Sequence, residues 1–93
     1  MKVAIIGYGS IGRRHLKNLL TLGVKSIVVV SAHTTEDTLN VNGESIPVVK
    51  DIEKVINSIN MMIISNSSNL HLKYLRLAIK NNVHTYIEKP IAC

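Results

Sequence analysis

Three glycines near the start of the chain have the spacing of a phosphate-binding loop. Gly7, Gly9 and Gly12 form a G-x-G-x-x-G pattern. In that pattern the first glycine permits a tight turn, the second lets a pyrophosphate approach the backbone, and the third lets a helix pack close to a sheet. The N–H groups and the positive dipole of the following helix then attract the phosphates. We therefore predict that residues 7–12 bind a dinucleotide, in preference to the alternative of a glycine-rich turn without a ligand.

A strand and a helix must flank such a loop. The unbroken apolar run Val3–Ile6 predicts a strand that is buried on both faces. Residues 10–22 predict an amphipathic helix, which ends where Gly23 takes the left-handed conformation. Strand, glycine turn and helix in this order are the context that a dinucleotide-binding loop requires.

Later segments predict further strands and helices. Residues 26–30, 61–64 and 84–87 are short runs rich in β-branched, aromatic or other apolar residues, as strands are. Asp51 is expected to cap a short helix, and residues 70–81 are expected to form the last helix. The predicted inner faces of these two helices are Ile52, Val55, Ile56 and Ile59 in the first, and Leu72, Leu75 and Ile79 in the second.

The segment after the second strand departs from a regular alternation of strand and helix. Residues 38–46 alternate about Asn42-Gly43, the strongest short-range signal for a two-residue hairpin. Pro47 cannot donate a backbone hydrogen bond, so its strand is expected at an edge of the sheet. We predict one α/β domain over residues 1–93, with a Rossmann-like doubly wound parallel sheet of about five strands. Its second helix is expected to be shortened or replaced by a hairpin or loop.

Four loops follow the carboxyl ends of predicted strands. They comprise residues 7–12, 31–33, 65–71 and 88–90. In open parallel sheets, ligands bind beyond these ends, at the point where the strand order reverses. The four loops are therefore interpreted as one site.

Three motifs in these loops together resemble one family. The first is the glycine loop with a histidine, His15, three positions beyond it. The second is the loop of residues 65–71, which ends in His71, and the third and most specific is Glu88-Lys89-Pro90. Over essentially its whole length the sequence is similar to the glucose-fructose oxidoreductase/inositol dehydrogenase family, Gfo/Idh/MocA. The resemblance implies NAD(P)-dependent oxidation or reduction at a carbinol carbon, typically of a sugar, a cyclitol or a sugar derivative.

The resemblance also implies roles for individual residues. In this family the lysine of the Glu-Lys-Pro motif lies between nicotinamide and substrate, and that catalytic role maps onto Lys89. A cation beside a forming alkoxide stabilises it, Pro90 would stiffen the turn, and Glu88 would hold the loop or line the nicotinamide pocket. Without the resemblance, the position of Lys89 in the sequence is equally compatible with a lysine in a solvated loop. His15 and His71 are expected either near the cofactor or simply packed. The candidate cofactor-binding residues are Gly7, Tyr8, Gly9, Ser10, Ile11, Gly12, Ser31, His33, Asn66, Ser67, His71, Glu88, Lys89 and Pro90.

The sequence leaves the choice between NAD and NADP open. A domain that binds NAD is expected to carry an Asp or Glu at the end of the second strand, where Ser31, Ala32 and His33 stand. No arginine stands there to meet a 2′-phosphate either. Because Ser31 and His33 could hydrogen-bond a phosphate and no carboxylate repels one, we favour NADP or dual use over NAD alone.

Composition argues against other classes of partner. The net charge is +5, but the basic residues are dispersed and no aromatic residues alternate with them, which argues against nucleic acid. No apolar run has the length of a signal peptide or a membrane span. The single cysteine, Cys93, cannot form an internal disulfide, so a reducing compartment is expected. We predict a soluble, cytoplasmic protein without a membrane partner, and no histidine pair has the spacing of a metal site.

The family's second domain, which supplies most substrate contacts and the acid–base residue, has no counterpart in this sequence. We therefore expect the cofactor-binding part of a larger oxidoreductase that acts on a small, sugar-like molecule. The alternatives are a freestanding nucleotide-binding or redox-sensing module, and an interaction protein on a degenerate Rossmann scaffold. The strand of residues 84–87 would leave an unpaired edge, which predicts a homo-oligomer formed through that edge.

Overall fold

A strand in which every residue is buried lies at the centre of the sheet. The computed structural model describes residues 1–65 and 71–87. Its elements, in chain order, are β1 (Val3–Ile6), α1 (Ser10–Thr21), β2 (Ile27–Val30), β3 (Thr38–Val41), β4 (Glu44–Val49), a 3₁₀ helix (Ile52–Lys54), β5 (Met61–Ile64), α2 (His71–Lys80) and β6 (His84–Ile87). All four residues of β1 are buried because β2 and β5 pair with it on either side and helices cover both faces.

The six strands follow the order β3-β4-β2-β1-β5-β6. All neighbouring pairs are parallel except β3 and β4, which are antiparallel. This arrangement confirms the predicted α/β doubly wound sheet, although the number of strands is six instead of about five. The additional strand is β3, the first arm of the hairpin. Because β1, β2 and β5 are parallel neighbours, their carboxyl ends meet at one edge of the sheet.

Two clusters of side chains bury the two faces of the sheet. Alternate residues of β1 enter opposite clusters, as expected for a strand covered on both sides. The cluster under α1 and the hairpin contains Ile5, Leu16, Ile27, Val29, Ile46 and Val48. The cluster under the 3₁₀ segment and α2 contains Ala4, Ile6, Val28, Val30, Ile52, Ile56, Ile59, Met62, Ile64, Ala78 and Val83. Neither of the two described helices has the length and apolar character of a membrane span.

The end of α1 confirms the predicted stop signal. Gly23 has φ +92°, and its N–H donates to the carbonyl of Leu20 at 3.1 Å. The N–H of Val24 donates to the carbonyl of Leu19 at 3.0 Å. These two bonds form a Schellman motif, which satisfies carbonyl groups that the end of the helix would otherwise leave without partners. The helix ends at Thr21, one residue before the predicted end.

The hairpin is confirmed, but the expected edge position of its second strand is wrong. Asn42 and Gly43 have φ +52° and +80°, the signs of a type I′ turn. β4 is not at the edge, because β3 pairs with it on one side and β2 on the other. Its pairing with β2 begins only at Val48, one residue after Pro47. The missing N–H of the proline therefore interrupts no hydrogen bond of that parallel ladder.

The inner face predicted for α2 is also wrong. Leu72 and Ile79 are 56% and 70% exposed, whereas Ala78 is fully buried. Tyr74 and Leu77 pack partly against the same cluster as Ala78. Apolar residues occupy both sides of this helix, so helical periodicity fits either face, and the small Ala78 lets α2 approach the sheet more closely. Of the predicted range, residue 70 lies outside the described residues.

The short helix predicted after Asp51 is reduced to one 3₁₀ turn. Asp51 does cap it, since its Oδ1 accepts the N–H of Glu53 at 3.1 Å. The chain then continues through turns, because β-branched residues, asparagine and serine favour helix only weakly. Three of the four predicted inward residues are nevertheless buried: Ile52, Ile56 and Ile59.

Candidate functional site

The glycine loop connects the carboxyl end of β1 to α1. Gly7 has φ +93°, a conformation that side chains rarely adopt, and its N–H donates to the carbonyl of Val30 at 2.8 Å. A Cβ atom on Gly12 would collide with the carbonyl oxygen of Gly7 and lie 3.0 Å from Oγ of Ser65. The fold itself therefore requires both glycines: one for the turn and one for the close approach of α1.

Gly9 differs from these two glycines. Its φ of −85° and ψ of −163° lie in the extended region that any residue adopts. A Cβ atom added there would meet nothing within 4 Å. Neither backbone strain nor packing within the described residues requires a glycine here, whereas a ligand that approaches the backbone would require one. Gly9 is the N-cap of α1, with no side-chain cap and no acidic residue in the first turn of the helix.

An open cleft of about 600 Å³ extends from this loop across the carboxyl edge of the sheet. Its volume is in the range of small-molecule and cofactor sites. The described residues that line it end β2, follow β1, β2 and β5, or belong to the two helices: Gly7, Tyr8, Gly9, Arg13, Val30, Ser31, Ala32, His33, Thr34, Ser65 and Tyr74. None of these lining residues carries a carboxylate. The cleft is thus suited to an anionic ligand whose phosphates lie at the N-terminus of α1.

The loop after β2 forms one wall of the cleft and contains two of the predicted residues, Ser31 and His33. Ser31 is 7% exposed, and its N–H donates to the carbonyl of Val49 at 2.9 Å. Its Oγ accepts the hydroxyl of Thr34 at 3.1 Å and lies 3.4 Å from the N–H of His33. Ser31 therefore fixes the shape of this loop, while the side chain of His33 is exposed beside the cleft.

Ser65 holds the opposite side of the glycine turn. Its Oγ donates to the carbonyl of Ile6 at 2.8 Å and lies 3.3 Å from the carbonyl oxygen of Gly7. Its N–H donates to the same carbonyl of Ile6 at 3.0 Å. The end of β5 is thereby tied to the turn. Ser65 begins one of the four loops that the sequence assigns to the site, but it is not among the candidate cofactor-binding residues; the available signal was a serine directly after a buried strand.

Arg13, Thr34 and Tyr74 also line the cleft without having been predicted. For Arg13 the signal was its position one helical turn after Gly9, which places both residues on the same side of α1. The guanidinium Cζ of Arg13 lies 5.2 Å from the ring centroid of Tyr8, a predicted residue that is half-buried. The arginine is therefore held against an aromatic ring at the mouth of the cleft.

The other predicted residues have varied positions. Ser10 is exposed at the first turn of α1, and Ile11 is half-buried. His71 is half-buried at the start of α2, and the ring of His15 lies edge-on to Tyr86, with centroids 5.8 Å apart.

Five predicted residues lie outside the described part of the chain: Asn66, Ser67, Glu88, Lys89 and Pro90. Within residues 1–65 and 71–87, no group of three or more metal-ligating side chains is brought together.

Comparison with known proteins agrees with this geometry. Residues 1–93 match the family model GFO_IDH_MocA, described as an oxidoreductase family with an NAD-binding Rossmann fold. No curated protein sequence matches the chain. Among solved structures, yvaA of Bacillus subtilis, described as an oxidoreductase, is 28% identical with a TM-score of 0.81 over 98% of this chain. Two structures of apo scyllo-inositol dehydrogenase from Lactobacillus casei, 20% identical with TM-scores of 0.67 and 0.68, cover 99% of this chain and share its fold. The chain spans 27% of the length of the first protein and 29% of the second.

Proposed function

Because this chain belongs to the Gfo/Idh/MocA oxidoreductase family and forms its NAD-binding Rossmann domain, we propose that it binds the nicotinamide cofactor of a carbinol dehydrogenase. In the whole protein, hydride would pass between that cofactor and a sugar, a cyclitol or a related alcohol. The observation that carries the proposal is Gly9. Neither a positive φ nor a close contact requires a glycine at this position, which lies at the N-terminus of α1 in an open cleft.

The described residues fit a dinucleotide. The backbone of residues 9–12 would hold the diphosphate, since the helix N-terminus offers N–H groups and a positive dipole. The loop after β2, with Ser31 and His33, would face the adenosine ribose. No carboxylate stands in that loop before Glu36, and none of the described residues that line the cleft is acidic, so we favour NADP or dual use over NAD alone. When bound, the nicotinamide supplies or accepts the hydride.

We assign the catalytic cation of the reaction to Lys89. The Glu88-Lys89-Pro90 motif directly follows β6, whose carboxyl end lies at the same edge of the sheet as that of β5. There a lysine would stabilise the alkoxide that forms as hydride leaves the carbinol carbon. The fold shared with scyllo-inositol dehydrogenase is compatible with a cyclitol or sugar substrate. We place the acid–base residue outside these 93 residues, since the chain spans only 27–29% of its structural neighbours.

We further propose that this chain self-associates through β6. Among the described strands, β6 pairs only with β5, so one of its sides is an open edge. The N–H of His84 donates toward β5, to the carbonyl of Asn60 at 3.1 Å. Because N–H groups alternate along a strand, the N–H of Thr85 faces the open side. Tyr86 is 48% exposed at this edge and adds apolar surface.

Titration with NADH and NADPH tests the cofactor proposal. We expect at least one of the two nucleotides to bind the 93-residue chain. Fluorescence and isothermal calorimetry measure this binding. Gly9→Val should weaken that binding at least about tenfold, because a branched side chain would occupy the space of the diphosphate. Thr21→Val is the matched control, since Thr21 is an exposed residue at the far end of the same helix and lines no part of the cleft. Equal affinity in wild type and Gly9→Val would remove the glycine loop from the site.

A further inference from the structure

Arg13 and the loop after β2 line the same cleft, although their positions in the sequence differ by 18 or more. At the end of β2 the sequence offers neither an acidic residue for a ribose 2′-hydroxyl nor an arginine for a 2′-phosphate, so these positions leave the choice between NAD and NADP open. The fold supplies an arginine from another element. Arg13 projects from the first turn of α1 and lines the cleft together with Ser31, His33 and Thr34.

The guanidinium of Arg13 is positioned by an aromatic ring. Its Cζ atom lies 5.2 Å from the centroid of Tyr8, which is itself half-buried in the cluster under α1. A guanidinium with one face on a ring keeps its N–H donors free in its own plane, where they match the oxygens of a phosphate.

The surroundings of Arg13 are positively charged. Arg14 and Lys17 lie beside it along α1 and line, with Arg13, a second open cleft of about 570 Å³ next to Gly9. No described residue of the cleft that Arg13 shares with the β2 loop is acidic. The loop wall itself is shaped by Ser31, whose Oγ accepts the hydroxyl of Thr34. A carboxylate that lined the cleft would bind a ribose 2′-hydroxyl and repel a phosphate, whereas a basic lining attracts the phosphate. The two acidic residues of the loop after β2, Glu36 and Asp37, are not among the residues that line the cleft.

We propose that Arg13 is a specificity-determining residue that binds the 2′-phosphate of NADP(H), opposite the wall formed by residues 31–34. This inference rests on the proposed function, because it needs the dinucleotide to lie in the cleft. If Arg13 has this role, NADP(H) is the preferred cofactor, and a residue of α1, not one at the end of β2, determines the preference.

The test compares four probes on the full 93-residue chain: NADPH, NADH, 2′,5′-ADP and 5′-AMP. Wild type is expected to bind NADPH and 2′,5′-ADP about 10- to 100-fold more tightly than NADH and 5′-AMP at low salt, as a charge-assisted contact predicts. Arg13→Leu should abolish this difference while NADH affinity changes less than about threefold. Raising the salt from about 50 to about 500 mM should reduce the preference, because the contact lies in an open cleft.

Arg76→Leu is the matched control. Arg76 is an exposed residue of α2 that lines neither cleft, and its replacement changes the net charge by the same amount. It should leave the NADPH preference intact. Thermal unfolding of both variants checks that the fold is retained, as expected for exposed side chains.

The outcomes separate this inference from the function on which it rests. If wild type binds NADH and NADPH equally, or if Arg13→Leu weakens both nucleotides alike, the 2′-phosphate assignment is wrong and the cofactor proposal stands. If wild type binds neither nucleotide, the cofactor proposal fails and the assignment of Arg13 falls with it. Loss confined to NADPH and 2′,5′-ADP in Arg13→Leu supports the assignment.

Discussion

Replacing Gly12 with alanine is expected to destabilise the protein, whereas the same replacement at Gly9 is expected to leave its stability nearly unchanged. A methyl group on Gly12 would collide with the carbonyl oxygen of Gly7 and stand 3.0 Å from Oγ of Ser65. A methyl group on Gly9 would meet nothing within 4 Å. The two glycines lie three residues apart in one motif, so the pair separates a packing requirement from a ligand requirement.

The expected loss at Gly12 is the difference of two opposing effects. Inside a helix, alanine is favoured over glycine by about 1 kcal/mol. Overpacking typically costs about 1–3 kcal/mol, and the obstacle here is a backbone oxygen that cannot rotate away, so the cost lies at or above the upper end. The free energy of unfolding should therefore fall by about 2 kcal/mol, which for a domain of this size lowers Tm by roughly 8–16 °C.

At Gly9 the opposing effects nearly cancel. The backbone is extended and accessible to alanine, and alanine reduces the entropy of the unfolded chain, a gain of about 0.4–1 kcal/mol. Alanine is, however, a poorer N-cap than glycine. The change in the free energy of unfolding should stay within about 1 kcal/mol. Nucleotide affinity should nevertheless fall at least about tenfold, because the methyl group points into the space assigned to the diphosphate.

Urea and thermal unfolding, followed by circular dichroism, measure both stabilities, and NADH and NADPH titrations measure binding. Gly9→Ser sharpens the test, because serine is a favourable N-cap and should maintain or raise Tm while still weakening binding. Gly12→Ala with the Tm of wild type would refute the packing argument. If Gly9→Ala lowers the free energy of unfolding as much as Gly12→Ala does, the inference that position 9 is a glycine because of a ligand is refuted.

The remaining predictions concern α2, Ser65 and β6. Ala78→Leu should lower the free energy of unfolding by about 1–3 kcal/mol through overpacking. Ile79→Lys, on the exposed face of α2, should change it by less than about 0.5 kcal/mol. Similar urea midpoints for the two variants would contradict the observed orientation of the helix. Ser65→Ala should cost about 0.5–1.5 kcal/mol through loss of the hydrogen bond to the carbonyl of Ile6, and an unchanged urea midpoint would show that this bond adds nothing. Thr85→Pro should remove an outward-facing N–H and shift sedimentation toward monomer, and a wild type that is strictly monomeric across micromolar concentrations would refute association through the edge.

Local sequence signals predicted much of the sheet and of the glycine loop. The aliphatic runs of β1 and β2 predicted buried strands because only a strand covered on both faces hides four consecutive apolar side chains. Asn42-Gly43 predicted its turn because both residues must have positive φ. In the cleft, the sequence predicted the positions of Ser31 and His33 from the rule that ligands bind beyond strand ends. It did not predict Arg13, because the rule concerns loops and says nothing of which helix side chain faces them. It also missed Thr34, because the loop segment assigned to the site ended at His33.

Periodicity could not decide how two of the elements are placed. α2 has apolar residues on both sides, and the choice of Ala78 over Leu72 for the inner face depends on how closely the helix approaches the sheet. The strand with Pro47 lies inside the sheet because β3 folds back onto its outer side. The orientation of α2 results from competition for buried area between segments distant in sequence, which no local pattern records. The inner position of β4 follows instead from the hairpin, because its first arm, β3, covers the side that was expected to be an edge.

The sequence by itself determined the local conformations: two fully buried strands, the turns at Gly7, Gly23 and Asn42-Gly43, and the family to which the chain belongs. Those features depend on side chains and dihedral angles within a few residues of one another. The motif predicted a packing role for Gly12, and the tertiary structure supplies the distances: a Cβ atom has no room there, whereas one on Gly9 would meet nothing within 4 Å. Only the tertiary structure decided that Arg13 lines a cleft with residues 31–34. Such relations arise when parallel strands bring their carboxyl ends together, and the distances between those ends are set by the packing of the whole sheet.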